Sequence, residues 1–113
     1  MSVHDIDSFK GEVGRNRLDQ EVEQAIHEAN VQTIGAVAGD VDKGSFIRAA
    51  VTVSRLRAAY LKNVLTVEVA DDGQVPDDAA IAELKRRREA YEEALQGFGA
   101  LRHALKRGYM QLS

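Results

Sequence analysis

The chain has no cysteine and no tryptophan, and only one proline in 113 residues. Without cysteine there can be no disulfide, thiolate metal site or cysteine nucleophile, and a reducing compartment is the natural setting. Three Phe and three Tyr are the whole aromatic content. The interior must therefore be built from Ala, Val, Leu and Ile. Such side chains each remove little area from water, so a core of this kind gains from added burial against another subunit. No apolar run approaches the roughly 20 residues that span a bilayer. The opening segment, Met1 to Gly11, is polar and acidic and lacks the pattern of a secretory signal. A cytoplasmic protein with no membrane contact is expected. A strong charge of one sign is also missing: the net charge is −3, which gives the whole molecule no pull towards nucleic acid.

The residues that are present describe a folded, helical chain. An apolar fraction of 44% and a charged fraction of 29% are those of a globular protein, and the length suits one domain. Residues 1–15 hold Val3, Ile6, Phe9 and Val13 at helical spacing, but Gly11 and Gly14 weaken a helix there. A loosely ordered N-terminal arm anchored by Ile6 and Phe9 is expected, followed by a single helical domain over 16–113.

Three helices are expected in that domain, at about 16–38, 45–67 and 77–111. The first opens at Asn16, carries Leu18, Val22, Ala25, Ile26, Ala29, Thr33, Ala36 and Val37 along one side, and stops at Gly39. The second opens at Ser45 and carries Phe46, Ile47, Ala50, Val51, Ser54, Ala58, Leu61 and Leu65. Its β-branched end, Val64 to Val69, is also compatible with a strand, but no second strand is there to pair with it, so a helix fraying within 66–70 is preferred. Asp71-Asp72-Gly73 marks a turn, and Pro76-Asp77-Asp78 marks the start of the third helix. That helix shows Ile81, Leu84, Arg88, Tyr91, Leu95, Phe98, Arg102, Leu105, Tyr109 and Leu112 at alternating spacings of three and four, a heptad seam.

The expected architecture is all-α: an antiparallel helical hairpin plus a long third helix, a three-helix bundle completed by oligomerisation. The short turn at 40–44 favours pairing of the first two helices. Their charges agree, since Asp19, Glu21, Glu23 and Glu28 lie on one and Arg48, Arg55, Arg57 and Lys62 on the other. A register centred on Asp42 puts Glu28 beside Arg55 or Arg57, and Glu21 or Glu23 beside Lys62. Two shorter helices do not cover a third of more than 30 residues. The surface expected to meet a partner or a second copy is therefore Leu84, Tyr91, Leu95, Phe98, Leu101, Leu105, Tyr109 and Leu112, with Met110 at its end. The Gly35–Gly39 segment, rich in small residues, adds a place for close approach.

Chemistry-bearing clusters are few. Glu23 and His27 sit one helical turn apart and are weak metal candidates, but no second motif matches them, so a solvated polar face is preferred. Asp40-x-Asp42-x-Gly44 resembles the start of a calcium loop, yet its twelfth position is Val51 rather than Glu. Lys85-Arg86-Arg87-Arg88 and the later Arg102, His103, Lys106 and Arg107 are basic. Consecutive helical residues point in different directions, and acids stand nearby: Glu83 for Arg87, Glu89 for Lys85 and Glu92 for Arg88. No catalytic constellation or phosphate loop is present.

The expected function is a protein-interaction or assembly module, homo-oligomeric with a dimer favoured, acting as a structural, adaptor or chaperone-like protein without a cofactor. An enzyme is not expected. One alternative is a nucleic-acid-binding regulator using Arg86, Arg87, Arg88, Arg102, Lys106 and Arg107 with Arg55 and Arg57. Another is a helical small-ligand or metal-binding protein built on Glu23 and His27.

Overall fold

The computed structural model describes residues 3–69 and 73–113, with side chains from residue 11 onward within those ranges. The described residues form three helices, α1 (Val3–Ala38), α2 (Lys43–Glu68) and α3 (Asp78–Lys106), with no strand among them beyond an isolated bridge between Val41 and Leu112. The all-helical expectation is met. The order of lengths is not, because α1, with 36 residues, is the longest helix.

α1 starts at Val3, so residues 3–15 are helical where a loosely ordered arm was expected. Extending a helix that already exists needs no new nucleus, and this carries it through Gly11 and Gly14 at a cost of about 1 kcal/mol each. The side chains of Ile6 and Phe9, the expected anchors, lie outside the described side chains. Gly39 ends the helix as expected, with φ +72° and its N–H donating to the Gly35 carbonyl at 3.0 Å.

Asp42, not Ser45, caps α2. Its carboxylate accepts from the Ser45 N–H at 2.7 Å and from the Ser45 hydroxyl at 3.1 Å. These bonds hold its carboxyl below the ordinary carboxylate range. Aspartate and serine are comparable caps, and the earlier one takes the position while Ser45 serves as its partner within the first turn. The β-branched end stays helical to Glu68. Asp71 and Asp72 of the expected turn lie outside the described residues, whereas Gly73 has φ +68°. Asp77 caps α3 through the Ala80 N–H at 2.8 Å.

The antiparallel hairpin is α2 with α3. This corrects the expected pairing, since among the described residues α1 and α2 make no helix-to-helix contact. Phe46 stacks on Phe98 with ring centroids 5.1 Å apart, and Tyr60 stacks on Tyr91 at 6.3 Å. Rising numbers on one helix meet falling numbers on the other, so the helices run in opposite directions.

On α3 the half-buried seam is 80, 84, 87, 91, 94, 98, 101 and 105, spaced four and three in alternation. It shares Leu84, Tyr91, Phe98 and Leu105 with the expected seam. Between them stand Ala80, Arg87, Ala94 and Leu101 instead of Ile81, Arg88, Leu95 and Arg102, all four of which are exposed. The small alanines leave room for the aromatic rings to lie between the helices. On α2 the facing series is 46, 50, 53, 57, 60, 64 and 67, and at its centre the Arg57 guanidinium lies 5.6 Å from the centroid of Tyr91.

α3 ends at Lys106 rather than near 111. Gly108 has φ +77°, its N–H donates to the Leu105 carbonyl at 3.1 Å, and the Tyr109 N–H donates to the Ala104 carbonyl at 2.8 Å. This is the double-bonded Schellman ending. The tail then turns back past the end of α1. There the Val41 N–H donates to Gln111 O at 3.0 Å and the Ser113 N–H to Val41 O at 2.9 Å. This junction, the base of the molecule, holds Ala104 and Met110, the only buried apolar residues among those described.

From the base, α1 and the hairpin diverge. α1 measures about 54 Å at 1.5 Å per residue, and the molecule is 77 Å long. The radius of gyration is 23.7 Å, against about 13 Å for a compact chain of this length.

Candidate interaction surface

α1 is gripped on one side and open on the other. His27, Asn30, Ile34 and Gly35 are half-buried, and Tyr109 of the tail lies over them. Its ring centroid is 5.4 Å from that of His27, and its hydroxyl accepts hydrogen bonds from Arg107 and Asn30, which lower its pKa. A Cβ on Gly35 would meet the Tyr109 carbonyl oxygen at 3.6 Å, an ordinary van der Waals distance, and one on Gly39 would meet nothing within 4 Å, so the tail passes beside the small-residue segment without requiring glycine there for space. The other side carries the apolar stripe Leu18, Val22, Ala25, Ile26, Ala29, Thr33, Ala36 and Val37. Every one of these residues is exposed, with Leu18 at 57% and Ile26 at 54%.

α2 has two apolar stripes. One is the seam against α3. The other, Ile47, Val51, Ser54, Ala58, Leu61 and Leu65, is exposed throughout, with Leu61 at 52% and Leu65 at 65%. Together with Phe46 and Ala50, which are half-buried instead, these are the side chains expected to face α1. In the structure neither stripe is covered, and the expected contacts of Glu28 with Arg55 or Arg57 and of Glu21 or Glu23 with Lys62 do not form within the chain, because α1 and α2 do not touch.

The surface expected on α3 is distributed differently. Leu84, Tyr91, Phe98, Leu101 and Leu105 are half-buried, Tyr109 is held against α1, and Leu95 and Leu112 are exposed. Met110 is buried at the base. The open faces of α1 and α2 were missed as a partner surface because both were assigned to one internal hairpin. What distinguishes them in the sequence is that α2 has enough apolar positions for two faces.

The basic run on α3 is tied to acids on its own helix. Glu83 accepts from Arg86 at 2.7 Å and from Arg87 at 2.8 Å, Lys85 lies 3.8 Å from Glu89, and Arg88 lies 3.8 Å from Glu92. The three pairs expected from the sequence are all present, with Arg86 an addition. The bonds from Arg86 first, and Arg87 next, lower the Glu83 pKa to about 2. Arg102 and Lys106 are exposed. Arg107 turns towards α1, where with Gln20, Glu23, Gln24 and His27 it lines a shallow open cleft of about 390 Å³. A guanidinium in that cleft opposes a metal cation beside Glu23 and His27, and no group of three potential metal ligands occurs among the described residues. No helix among them is long and apolar enough to cross a membrane.

No protein-family model matches the chain, and no curated protein or solved structure matches it.

Proposed function

We propose that this chain is a protein-interaction and assembly module that works as a homo-oligomer, a dimer by preference, in the cytoplasm, with a structural, adaptor or chaperone-like role. The observation that carries this reading is the near absence of a core in one chain. Only Ala104 and Met110 are buried apolar residues among those described, while two long apolar stripes face water. The exposed area is 8924 Å². A compact monomer of 12.4 kDa exposes roughly 6,100 Å², so the chain shows about 2,800 Å² more than its mass requires. A stable pair of proteins buries about 1,200–2,000 Å² in total, and closed two-fold dimers are the commonest assembly.

The nucleic-acid reading has weaker support, because Arg86, Arg87 and Arg88 already answer acids on the same helix. Light scattering on the purified protein tests the assembly reading. The expected mass is twice that of the chain or a higher multiple, and a particle of 12.4 kDa at tens of micromolar overturns it. Retention on a polyanion column at low salt, lost with charge-neutral variants of Arg102 and Lys106, would favour the nucleic-acid alternative instead.

A further inference from the structure

The two open stripes match each other, and they lie on helices that do not meet within one chain. On α1 the exposed positions 18, 22, 25, 29, 32 and 36, all from the apolar stripe except Gln32, follow steps of four and three. On α2 the exposed positions 47, 51, 54, 58, 61 and 65 follow the same steps. On α2 large residues stand at both ends and small ones in the middle, whereas on α1 Leu18 and Val22 open the series, the small Ala25 and Ala29 follow, and Gln32 and Ala36 close it.

Charge decides which helix faces which. From Leu18 to Ala38 there are four acids, Asp19, Glu21, Glu23 and Glu28, and no Lys or Arg. α2 carries Lys43, Arg48, Arg55, Arg57 and Lys62 against a single acid, Glu68. An α1 stripe laid on another α1 would set acid against acid, and α2 on α2 would set base against base. α1 on α2 is the complementary choice.

The link from α1 to α2 keeps this from happening within one chain. It is four residues, 39–42, and its Val41 is held by two hydrogen bonds to the returning tail. A short, constrained connection of this kind favours exchange between protomers. We infer that two copies exchange their first helices, α1 of each lying on the outer face of the partner's α2. This rests on the homo-oligomer reading and specifies its interface.

The divergent shape sets the direction. α1 leaves the base away from its own hairpin. In a two-fold pair it can follow the partner's hairpin only if the two bases lie together, so its N-terminus points towards the C-terminal end of the partner's α2. α1 is then antiparallel to the partner's α2. Facing residues have numbers adding to 83: Leu18 meets Leu65, Val22 meets Leu61, Ala25 meets Ala58 and Ala29 meets Ser54. Asp19 comes beside Lys62, and Glu28 lies level with Arg55. Each half of the dimer becomes a three-helix bundle with one helix supplied by the other chain.

The cysteine-free sequence makes the test direct. Chains carrying Ala29→Cys with Ser54→Cys, and separately Ala25→Cys with Ala58→Cys, are oxidised and run on non-reducing gels, with circular dichroism showing that each is folded. The expected result is a covalent dimer from both. Ala29→Cys with Ala58→Cys, the pair that faces in a parallel arrangement, is expected to stay unlinked. A disulfide within one chain would show that α1 closes on its own α2, and linkage of the parallel pair would show the wrong direction; either overturns the exchange. The native mass of the unsubstituted protein separates the two levels. A dimeric particle whose antiparallel pairs fail to link removes the exchange alone, and a single-chain particle removes the assembly reading with it.

Discussion

Tyr109 packs its ring 5.4 Å from the imidazole of His27 while its hydroxyl accepts from Asn30 of α1 and from Arg107 of the tail. A residue beyond the end of α3 thereby fastens the C-terminal half of α1 to the base. Tyr109→Ala should cost about 1–3 kcal/mol in urea unfolding and should lower amide-exchange protection over 27–38 while leaving 43–106 protected. Tyr109→Phe keeps the ring and removes only the acceptor, so it should cost about 0.5–1.5 kcal/mol. Unchanged protection of α1 in the alanine variant would mean that something other than this ring holds it.

Phe46 and Phe98 tie the α2 N-terminus to α3 through a 5.1 Å stack. Both are half-buried, so truncation should fall short of a full core deletion. Phe98→Ala should lower stability by about 2–3 kcal/mol. In a double-mutant cycle with Phe46→Ala, the coupling should be about 0.5–1.5 kcal/mol. Leu61→Lys makes the contrast. Leu61 is 52% exposed, so within one protomer the change should stay inside about 0.5 kcal/mol, while the native mass should fall towards that of a single chain. Additive effects at the two phenylalanines, or a full-sized particle with lysine at 61, would contradict the assignment of one face to the hairpin and the other to assembly.

Local signals explain what the sequence revealed. Gly39, Asp77 and the 85–89, 83–87 and 88–92 pairs depend on residues within one or two helical turns, and each lies where periodicity and capping put it. The choice of hairpin was not legible, because it depends on the tail. Two hydrogen bonds between Val41 and residues 111 and 113 hold the 39–42 link open, and nothing near Val41 announces them. The α3 seam was half legible. Leu84, Tyr91, Phe98 and Leu105 stood out by size, but their neighbours Ala80 and Ala94 serve because they are small, and a search for apolar bulk selects Ile81 and Leu95 instead. The end of α3 was available in Lys106-Arg107-Gly108, a basic last turn followed by glycine, and was obscured by the apolar residues beyond it. The open faces of α1 and α2 were visible as stripes, but a stripe does not state whether its cover comes from the same chain.

Glycines divide into two kinds with opposite expected effects. Gly108 sits at φ +77° at the end of α3. An alanine there should cost about 1–2 kcal/mol and should loosen the tail that carries Tyr109. Gly97 and Gly99 lie inside α3 with nothing within 4 Å of an added Cβ. Gly97→Ala and Gly99→Ala should each raise stability by about 0.4–1 kcal/mol, because the unfolded chain loses freedom and the helix does not. Thermal melts of the three single variants measure this. Destabilisation by alanine at 97 or 99 would show that another helix presses on that side of Phe98.

Glu83 gives the fold a defined response to acid. Its carboxylate accepts from Arg86 and Arg87 and has its pKa lowered from 4.5 to about 2. A carboxyl group with a lower pKa in the folded chain than in the unfolded one stabilises the fold above the unfolded value. That contribution fades as the pH falls towards the folded value. The window is therefore from 4.5 down to about 2, with no change expected from this group between pH 5 and 8. Both partners are at the surface, so the effect is small and should shrink further in high salt. Glu83→Gln should melt below the parent protein at pH 7, and the difference should close as the pH is taken through the window. A difference that stays constant from pH 5 to pH 2, or that grows on acidification, would show that these ion pairs do not contribute to the stability of α3.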